Sequence, residues 1–299
     1  MTSVVVIRSG SLAPAASNGH GTGPRTIADF DPAGSLRMRG LRPLSRASLL
    51  ACVAAGAALG HPGEPPGEPE RRAVVLGTRW ASLDPLFEFE QTAARDGPSL
   101  VNPAQFPNVV VNAHAGYLGI LFGLAGPSVT ICGPGAGLEA IGRARDLLLL
   151  DRADYALAGG VEALGEPLLR GLEQTAAEPP GEAAAFLLLA REEPGLPAVA
   201  RLASYTSAPL PRSEGLIEQA LELAALRPED VRALWTAGRA PARLRGLPGP
   251  SRVGAGFGGA GGAMAAVAAA HAVAETSAPT VAATFPPEGT QSVLVLTPA

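Results

Sequence analysis

The sequence predicts an α/β protein made of two related sets of strands and helices. Short apolar runs such as Val4–Ile7 and Ala73–Leu76 alternate with longer segments of helical character such as Ser45–Leu59. This alternation is typical of layered sheets covered by helices. It begins again, more weakly, after residue 190, so we expect a duplicated architecture with one half in residues 1–190 and a shorter half in residues 191–299.

In the first half, glycine, proline and capping residues mark where each element begins and ends. Val4–Ile7 is β-branched and predicts a strand, and a polar, Gly- and Pro-rich stretch follows to about Ser35. Ser45 is the predicted N-cap of a helix that ends before Gly60. The other predicted elements of this half are the strand Ala73–Leu76, the helix Asp84–Ala94, a Pro turn and helix over Asn102–Leu121 interrupted at Gly116, the buried strand Ser128–Ile131, the helix Gly135–Leu150, the strand Tyr155–Leu157 ending at Gly159-Gly160, and the strand Ala183–Ala190.

The second half repeats this order with shorter elements. Its predicted elements are the strand Ala198–Ser204, the helix Gly215–Leu226 followed by Pro228, the strand Val231–Trp235, the helix Gly258–Ala274 and the strand Ser292–Leu296. Gly and Ala dominate residues 254–273, which we interpret as a buried helix with close neighbours. Aromatic residues make up only 4% of the chain, so we expect a core of closely packed small aliphatic side chains.

The composition excludes several kinds of chemistry. All 23 basic residues are arginine, and a chain without lysine has no Schiff-base lysine, no Walker phosphate loop and no Ser-x-x-Lys nucleophile. The two cysteines and four histidines are scattered, so we expect no metal site and no cofactor. A net charge of −4 gives no basic surface for nucleic acid.

We find no segment that predicts export or membrane insertion. Met1–Ile7 lacks a basic region before its apolar run, and Ser48–Gly60 is shorter than the roughly 20 apolar residues that span a bilayer. The two cysteines show no sign of pairing, which favours a reducing compartment. We therefore expect a cytoplasmic protein that does not enter a membrane.

Four motif-bearing segments occur in a fixed order along the chain. Asp96–Thr130 contains N-P-x-x-F-P-N, N-A-x-A-G and G-L-x-G-P-x-x-T, and Asp154–Val161 reads DYALAGGV. Gly181–Ala185 reads GEAAA, and Leu226–Trp235 reads LRPEDVRALW. In this order and spacing the motifs resemble those of the β-ketoacyl synthases of fatty acid and polyketide synthesis. The resemblance implies a thiolase-like fold, with two related βαβαβ halves in a five-layer αβαβα sandwich that is truncated at the C-terminus, and a protein that works as a dimer.

The same resemblance indicates where this family holds its catalytic residues. A cysteine at a strand-to-helix turn accepts the acyl group, and two histidines act on the malonyl thioester. Counting back from Ala158 places the cysteine position at Pro134, and the corresponding frames place the two histidine positions at Ala237 and Ala255. The family's lysine position falls on Pro250. None of these side chains can perform the family's chemistry.

The turn from Cys132 to Leu138 is similar to that of chain-length factors, the members of the family that have lost their cysteine. The resemblance therefore implies a non-catalytic subunit that pairs with an active ketosynthase and acts, through that complex, on chains held by an acyl carrier protein. If this assignment is right, Pro134, Ala237 and Ala255 should converge in the folded chain. A structural homologue without a partner is a further interpretation.

Cys132 leaves an enzymatic alternative open. It lies two residues before Pro134, so an alignment shifted by two residues makes it the acyl-accepting nucleophile of a β-ketoacyl synthase or acyltransferase. The sequence indicates no cation or helix N-terminus that would favour its thiolate, and we interpret it as a small buried side chain. We likewise interpret Cys52 as a core residue, His114 as a packing or interface residue and Glu162 as a structural polar residue.

Overall fold

A ten-stranded mixed sheet runs through the molecule, as seen in a computed structural model. The structure describes residues 3–14, 23–63, 65–80, 82–172, 179–210, 215–240, 246–253 and 256–299. The strands are β1 (Val4–Leu12), β2 (Arg72–Thr78), β3 (Ser128–Cys132), β4 (Tyr155–Glu162), β5 (Ala183–Arg191), β6 (Ala200–Pro209), β7 (Ala233–Gly238), β8 (Pro250–Arg252), β9 (Thr280–Phe285) and β10 (Thr290–Thr297). The helices are α1 (Pro32–Leu36), α2 (Arg46–Leu59), α3 (Leu83–Asp96), α4 (Ala113–Phe122), α5 (Ala136–Leu149), α6 (Glu166–Leu172), α7 (Leu216–Leu223) and α8 (Gly261–Thr276). Short 3-10 turns include Pro103–Asn108 and Gly258–Ala260.

The two halves of the sheet have the same strand order. The order across the sheet is β3-β2-β4-β5-β1, followed by β6-β10-β9-β7-β8. In each half the second strand is parallel to the third and fourth, and the fifth strand is antiparallel to both of its neighbours. The halves join through β1 and β6, where Val4–Val6 pair antiparallel with Ala200–Leu202. This repeated topology confirms the predicted duplicated α/β architecture.

Helices lie on both faces of each half of the sheet, and the two halves share the helices between them. The five layers are therefore outer helices, first half of the sheet, middle helices, second half of the sheet and outer helices. The middle layer contains α5 and α8, which contact each other between the two halves. On the outside, α2 and α4 cover the first half and α7 covers the second. Alternate side chains of a strand face different layers: in β5, Leu187 and Leu189 face the middle helices, whereas Phe186 and Leu188 face the outer helices. This is the predicted αβαβα arrangement.

The middle layer is built from small residues because its backbone segments approach each other closely. A Cβ added at Gly137 of α5 would lie 2.5 Å from the carbonyl oxygen of Gly259, and a Cβ added at Gly262 of α8 would lie 2.8 Å from Cβ of Leu138. Neither position has room for a side chain. The Gly- and Ala-rich segment predicted as a buried helix is α8 together with the 3-10 turn before it.

Two of the predicted elements continue beyond a glycine at which we expected a stop or a break. β4 runs through Gly159 and Gly160 to Glu162, because both glycines pair with β5 within the sheet. α4 is not interrupted at Gly116, because a helix tolerates a single glycine at a cost of about 1 kcal/mol. The structure also contains α1, α6, β8 and β9, which are not among the predicted elements.

The prediction of a buried strand over Ser128–Ile131 is wrong in one respect. The strand exists as β3, but it lies at the edge of the sheet, and its side chains are exposed or half-buried.

Within the described residues, no helix combines the length and apolarity needed to cross a membrane.

Replacing Gly137 by alanine should destabilise the protein, because the added methyl group would collide with the carbonyl oxygen of Gly259. We expect the free energy of unfolding to fall by about 1–3 kcal/mol, as for other overpacked cores. Gly116→Ala is the matched control: an added Cβ meets nothing within 4 Å, so it should raise stability by about 0.5–1 kcal/mol. Urea unfolding followed by circular dichroism measures both changes. Equal effects of the two substitutions would contradict the close approach of α5 to the Gly258–Ala260 turn.

Candidate functional site

A buried carboxylate stands where the two halves of the molecule meet. Glu162 ends β4 and is 1% exposed. Its Oε1 accepts hydrogen bonds from Oγ1 of Thr78 (3.1 Å) and the backbone N–H of Trp80 (2.8 Å). Its Oε2 accepts hydrogen bonds from the backbone N–H groups of Arg79 (3.0 Å) and Gly259 (2.7 Å). The first three donors lie at the end of β2, and Gly259 precedes α8, so this side chain ties the first half to the middle helix of the second.

Burial raises the pKa of Glu162 to about 7, although its four hydrogen bonds act in the opposite direction. Loss of water around a carboxylate disfavours its charged form, and backbone N–H groups offset only part of that cost. The position agrees with the interpretation of Glu162 as a structural polar residue.

Glycines around this carboxylate allow three backbone segments to meet. A Cβ added at Gly77 of β2 would lie 2.2 Å from the carbonyl carbon of Ala136, the first residue of α5. A Cβ at Gly160 of β4 would lie 3.0 Å from the carbonyl oxygen of Gly259, and one at Gly258 would lie 2.4 Å from Oε2 of Glu162. The start of α5, the ends of β2 and β4 and the Gly258–Ala260 turn therefore form one close-packed junction.

Thr284, beside this junction, lies close to Ala237 and to Gly135, the residue that follows Pro134. Pro134 lies in the turn between β3 and α5, and a Cβ added at the next residue, Gly135, would lie 3.4 Å from Oγ1 of Thr284. Ala237 of β7 pairs with Thr284 of β9. The third position, Ala255, lies outside the described residues. The assignment of all three as former catalytic positions stays a prediction.

Two polar side chains at this place are not among the predicted site residues. Thr284 is 1% exposed, and its Oγ1 has no hydrogen-bond partner among the described residues. Glu139, in the first turn of α5, has Oε1 3.4 Å from the same added Cβ at Gly135, and burial raises its pKa. The Gly-rich turn before Glu139 could have pointed to it, whereas Thr284 lies in a strand that was not predicted. The described residues contain no group of three His, Cys, Asp or Glu side chains that could hold a metal ion.

The prediction that Cys132 is buried is wrong. Cys132 is exposed because it ends β3, the edge strand of the sheet. Partial desolvation, together with the negative charge of Glu162, raises the pKa of the thiol. An activated cysteine nucleophile has a lowered pKa, so the environment of Cys132 disfavours the thiolate that catalysis needs.

The side chains of His114 and Cys52 pack inside the molecule. His114 is fully buried, with Nδ1 2.8 Å from Oγ of Ser48 and Nε2 3.0 Å from Oγ of Ser82. Burial lowers its pKa to about 4, so the imidazole is neutral at pH 7. Cys52 is buried in α2, and burial raises its pKa to about 12. Both positions agree with the predicted packing roles.

A second buried carboxylate, Glu182, holds the outer layer in place. Arg46, the first residue of α2, donates to it through Nε and Nη2 at 2.7 Å each. The backbone N–H groups of Ile27 and Leu164 donate at 3.0 and 3.2 Å. Burial opposes ionisation, but these hydrogen bonds outweigh it and hold the pKa of Glu182 below its usual value. The planar guanidinium suits this two-bond contact better than an ammonium group.

An apolar cavity of about 500 Å³ opens between α3 and α6. Its lining includes Trp80, Leu83, Leu86, Phe87, Pro167 and Leu168. Because the backbone N–H of Trp80 donates to Glu162, one wall of the cavity is fixed to the junction between the two halves.

Comparison with known proteins identifies the class to which this arrangement belongs. The family model for the N-terminal domain of β-ketoacyl synthases matches residues 11–177, which is more than half of the chain. The chain therefore belongs to the β-ketoacyl synthase family.

Individual relatives agree with this assignment. The 3-oxoacyl-[acyl-carrier-protein] synthase 2 of Vibrio cholerae is 34% identical over 99 residues, which are 33% of this chain and 24% of the relative. The chain thus matches about a quarter of the length of that curated relative.

Two solved structures share the fold over the whole chain. The ishigamide ketosynthase/chain length factor superposes with a TM-score of 0.82 at 21% identity, covering 99% of both chains. The AntDE:AntF complex, a type II polyketide ketosynthase with its acyl-carrier protein and a hexaketide, gives a TM-score of 0.82 at 19% identity, covering 100% of both chains. These likenesses confirm the thiolase-like fold.

Glu162 and His114 should give opposite pH dependences of stability. The pKa of Glu162 in the folded chain, about 7, is above the ordinary 4.5. The stability that Glu162 contributes is therefore fully present below pH 4.5 and is lost as the pH rises to 7. The pKa of folded His114, about 4, is below the ordinary 6.5, so its contribution is lost as the pH falls from 6.5 to 4. The two effects oppose each other between pH 4.5 and 6.5.

Urea unfolding of the wild type, Glu162→Gln and His114→Asn at pH 5, 6 and 7 separates the two effects. The stability difference between wild type and Glu162→Gln should fall with rising pH, by at most about 1.4 kcal/mol per pH unit. The difference between wild type and His114→Asn should rise between pH 5 and 6.5. A difference that does not change with pH, for either variant, would contradict the corresponding pKa shift.

Proposed function

We propose that this chain is a non-catalytic, chain-length-factor-like subunit that supports a partner β-ketoacyl synthase in polyketide or fatty acid biosynthesis. One observation carries the proposal: the junction of the family fold is intact, but the positions that the sequence motifs assign to the family's cysteine and first histidine hold Pro134 and Ala237. Neither side chain can form an acyl thioester or transfer a proton. The halves 1–190 and 191–299 would then act as one scaffold, and we expect the complex in the cytoplasm.

An exposed apolar face supports pairing with another protein. Not one residue of α3 is buried, and Leu83, Leu86 and Phe87 on this helix are 40%, 37% and 50% exposed. We define the apolar face as these three residues together with the exposed Leu100, Phe106, Val110 and Val111 of the segment that follows α3, whose 3-10 turns contact this helix. Grouped exposed apolar side chains of this size are typical of protein–protein contact surfaces. A dimer through this face would remove them from water.

The apolar cavity between α3 and α6 supports a contribution to chain length. Leu83, Leu86 and Phe87 belong both to the apolar face and to the lining of the cavity, so a partner bound there would cover its mouth. An acyl chain growing on the partner could then contact these side chains. The acyl carrier protein named in the AntDE:AntF complex would reach this chain through the partner ketosynthase.

Co-expression with a ketosynthase that retains its cysteine and both histidines should yield a one-to-one complex on affinity and size-exclusion chromatography. Phe87→Glu or Val110→Glu should weaken that complex at least tenfold, because each places a charge within the apolar face. Leu223→Glu is the matched control: Leu223 is 63% exposed at the end of α7, away from this face, and the change should have no effect. A stable monomer or homodimer that ignores the ketosynthase would reject the proposal.

The exposure of Cys132 is the observation that favours the alternative, a β-ketoacyl synthase or acyltransferase that uses this thiol. Our proposal predicts that an acyl-carrier-protein thioester leaves no acyl adduct on the chain in intact-mass spectra, with or without the partner. The alternative predicts an adduct that Cys132→Ala removes and Cys52→Ala leaves unchanged. An adduct with that pattern would replace our proposal with the enzymatic function.

A further inference from the structure

A second cavity, of about 550 Å³, lies on the other side of Asp84 from the apolar cavity and has a different chemical character. Four segments enclose it: residues 42–47 around the start of α2, the side chains of α3, the 3-10 turn at residues 102–108, and the loop 163–165 after β4. Its lining is rich in charged and amide side chains, namely Arg42, Arg46, Asp84, Glu88, Asn102, Gln105 and Asn108. The proposed function makes no use of this cavity.

Hydrogen-bond acceptors are in excess in this cavity. Asp84 and Glu88 are four residues apart on one helix, so they occupy the same face of α3. Asp84 accepts hydrogen bonds from the backbone N–H groups of Gly165 and Leu168, but its Oδ1 has no partner among the described residues. Asn108 is 7% exposed, and its Nδ2 donates to the carbonyl oxygen of Pro43 at 2.8 Å.

Oδ1 of Asn108 is also without a partner in the described part of the chain. Buried oxygens without a partner are costly and are rare in native proteins. Both oxygens belong to side chains that line the cavity. A primary ammonium group, with three N–H donors, fits the acceptors of Asp84, Glu88 and Asn108.

One cation in the lining is available for an anionic group. Arg46 is engaged by Glu182, whereas Arg42 is exposed and has no ion-pair partner among the residues that the structure describes. An arginine with free N–H groups binds a carboxylate through two parallel hydrogen bonds. The cavity therefore presents acceptors on α3 and the 102–108 turn, and a donor fork on the segment before α2.

We propose that this cavity binds a small zwitterion, with its ammonium group at Asp84, Glu88 and Asn108 and its carboxylate at Arg42. A volume of about 550 Å³ accommodates a molecule of amino-acid to dipeptide size. The proposal is independent of the pairing with a ketosynthase.

Isothermal titration of the purified full chain at pH 7 with 5-aminopentanoate, pentylamine and pentanoate tests this assignment. The zwitterion should bind at least ten times more tightly than either compound that carries one charged group. Glu88→Gln should weaken binding of 5-aminopentanoate and pentylamine tenfold without affecting pentanoate. Arg42→Gln should weaken binding of 5-aminopentanoate and pentanoate without affecting pentylamine.

Two matched controls keep the test specific. Glu90→Gln changes a carboxylate of α3 that lines the apolar cavity instead, and Arg39→Gln changes an exposed arginine outside both linings. Both should leave all three affinities unchanged. Absence of heat from 5-aminopentanoate with the wild-type chain, or losses of equal size in the controls, would overturn the proposal. Glu88 and Arg42 are exposed, so their substitution should not disturb folding.

Discussion

The hydrogen bonds to Glu162 are the constraint on which the junction of the two halves depends. Without the carboxylate, four donors would lose their acceptor, and the two buried ones, Thr78 Oγ1 and the Gly259 N–H, would cost about 1–3 kcal/mol each. The bond from Gly259 fixes the turn that starts α8, and α8 then lies against α5 in the middle layer. Because the backbones of these segments approach each other closely, only glycine and alanine fit along much of the contact. The abundance of small residues therefore follows from the packing of the middle layer.

Glu162 and Glu182 lie at the same end of the paired strands β4 and β5, on opposite faces of the sheet. Glu162 ends β4 opposite Ala183 of β5, and Glu182 immediately precedes that strand. Since side chains alternate along a strand, Glu162 serves the middle layer and Glu182 the outer layer. Their pKa values move in opposite directions because Glu182 has a guanidinium partner, whereas Glu162 is held by backbone N–H groups and one hydroxyl. The guanidinium partner favours the charged form of Glu182. Glu162, by contrast, is close to half-protonated at neutral pH.

Local signals predicted the helices better than the environment of individual side chains. Ser45 and Gly60 bound α2 as expected, with the serine accepting a hydrogen bond from Ser48 and the glycine in a left-handed conformation. The exposure of β3 could not be predicted, because an apolar run does not reveal whether its strand has one neighbouring strand or two. Cys132 was misjudged for the same reason. The four donors to Glu162 come from segments up to 97 residues away, and no local pattern contains that information.

Two of the buried polar side chains, Glu162 and His114, hold packed segments together through hydrogen bonds. A buried imidazole requires partners, as His114 does with Ser48 and Ser82. An apolar side chain has no such requirement, and in the function we propose Ala237 occupies a former catalytic position. Loss of the carboxylate at Glu162 would instead leave the donors of Thr78, Arg79, Trp80 and Gly259 without their acceptor. Apolar residues at the proposed catalytic positions, beside an intact junction, are what we expect of a scaffold selected for shape and pairing, and the raised pKa of Cys132 disfavours that thiol as a replacement nucleophile.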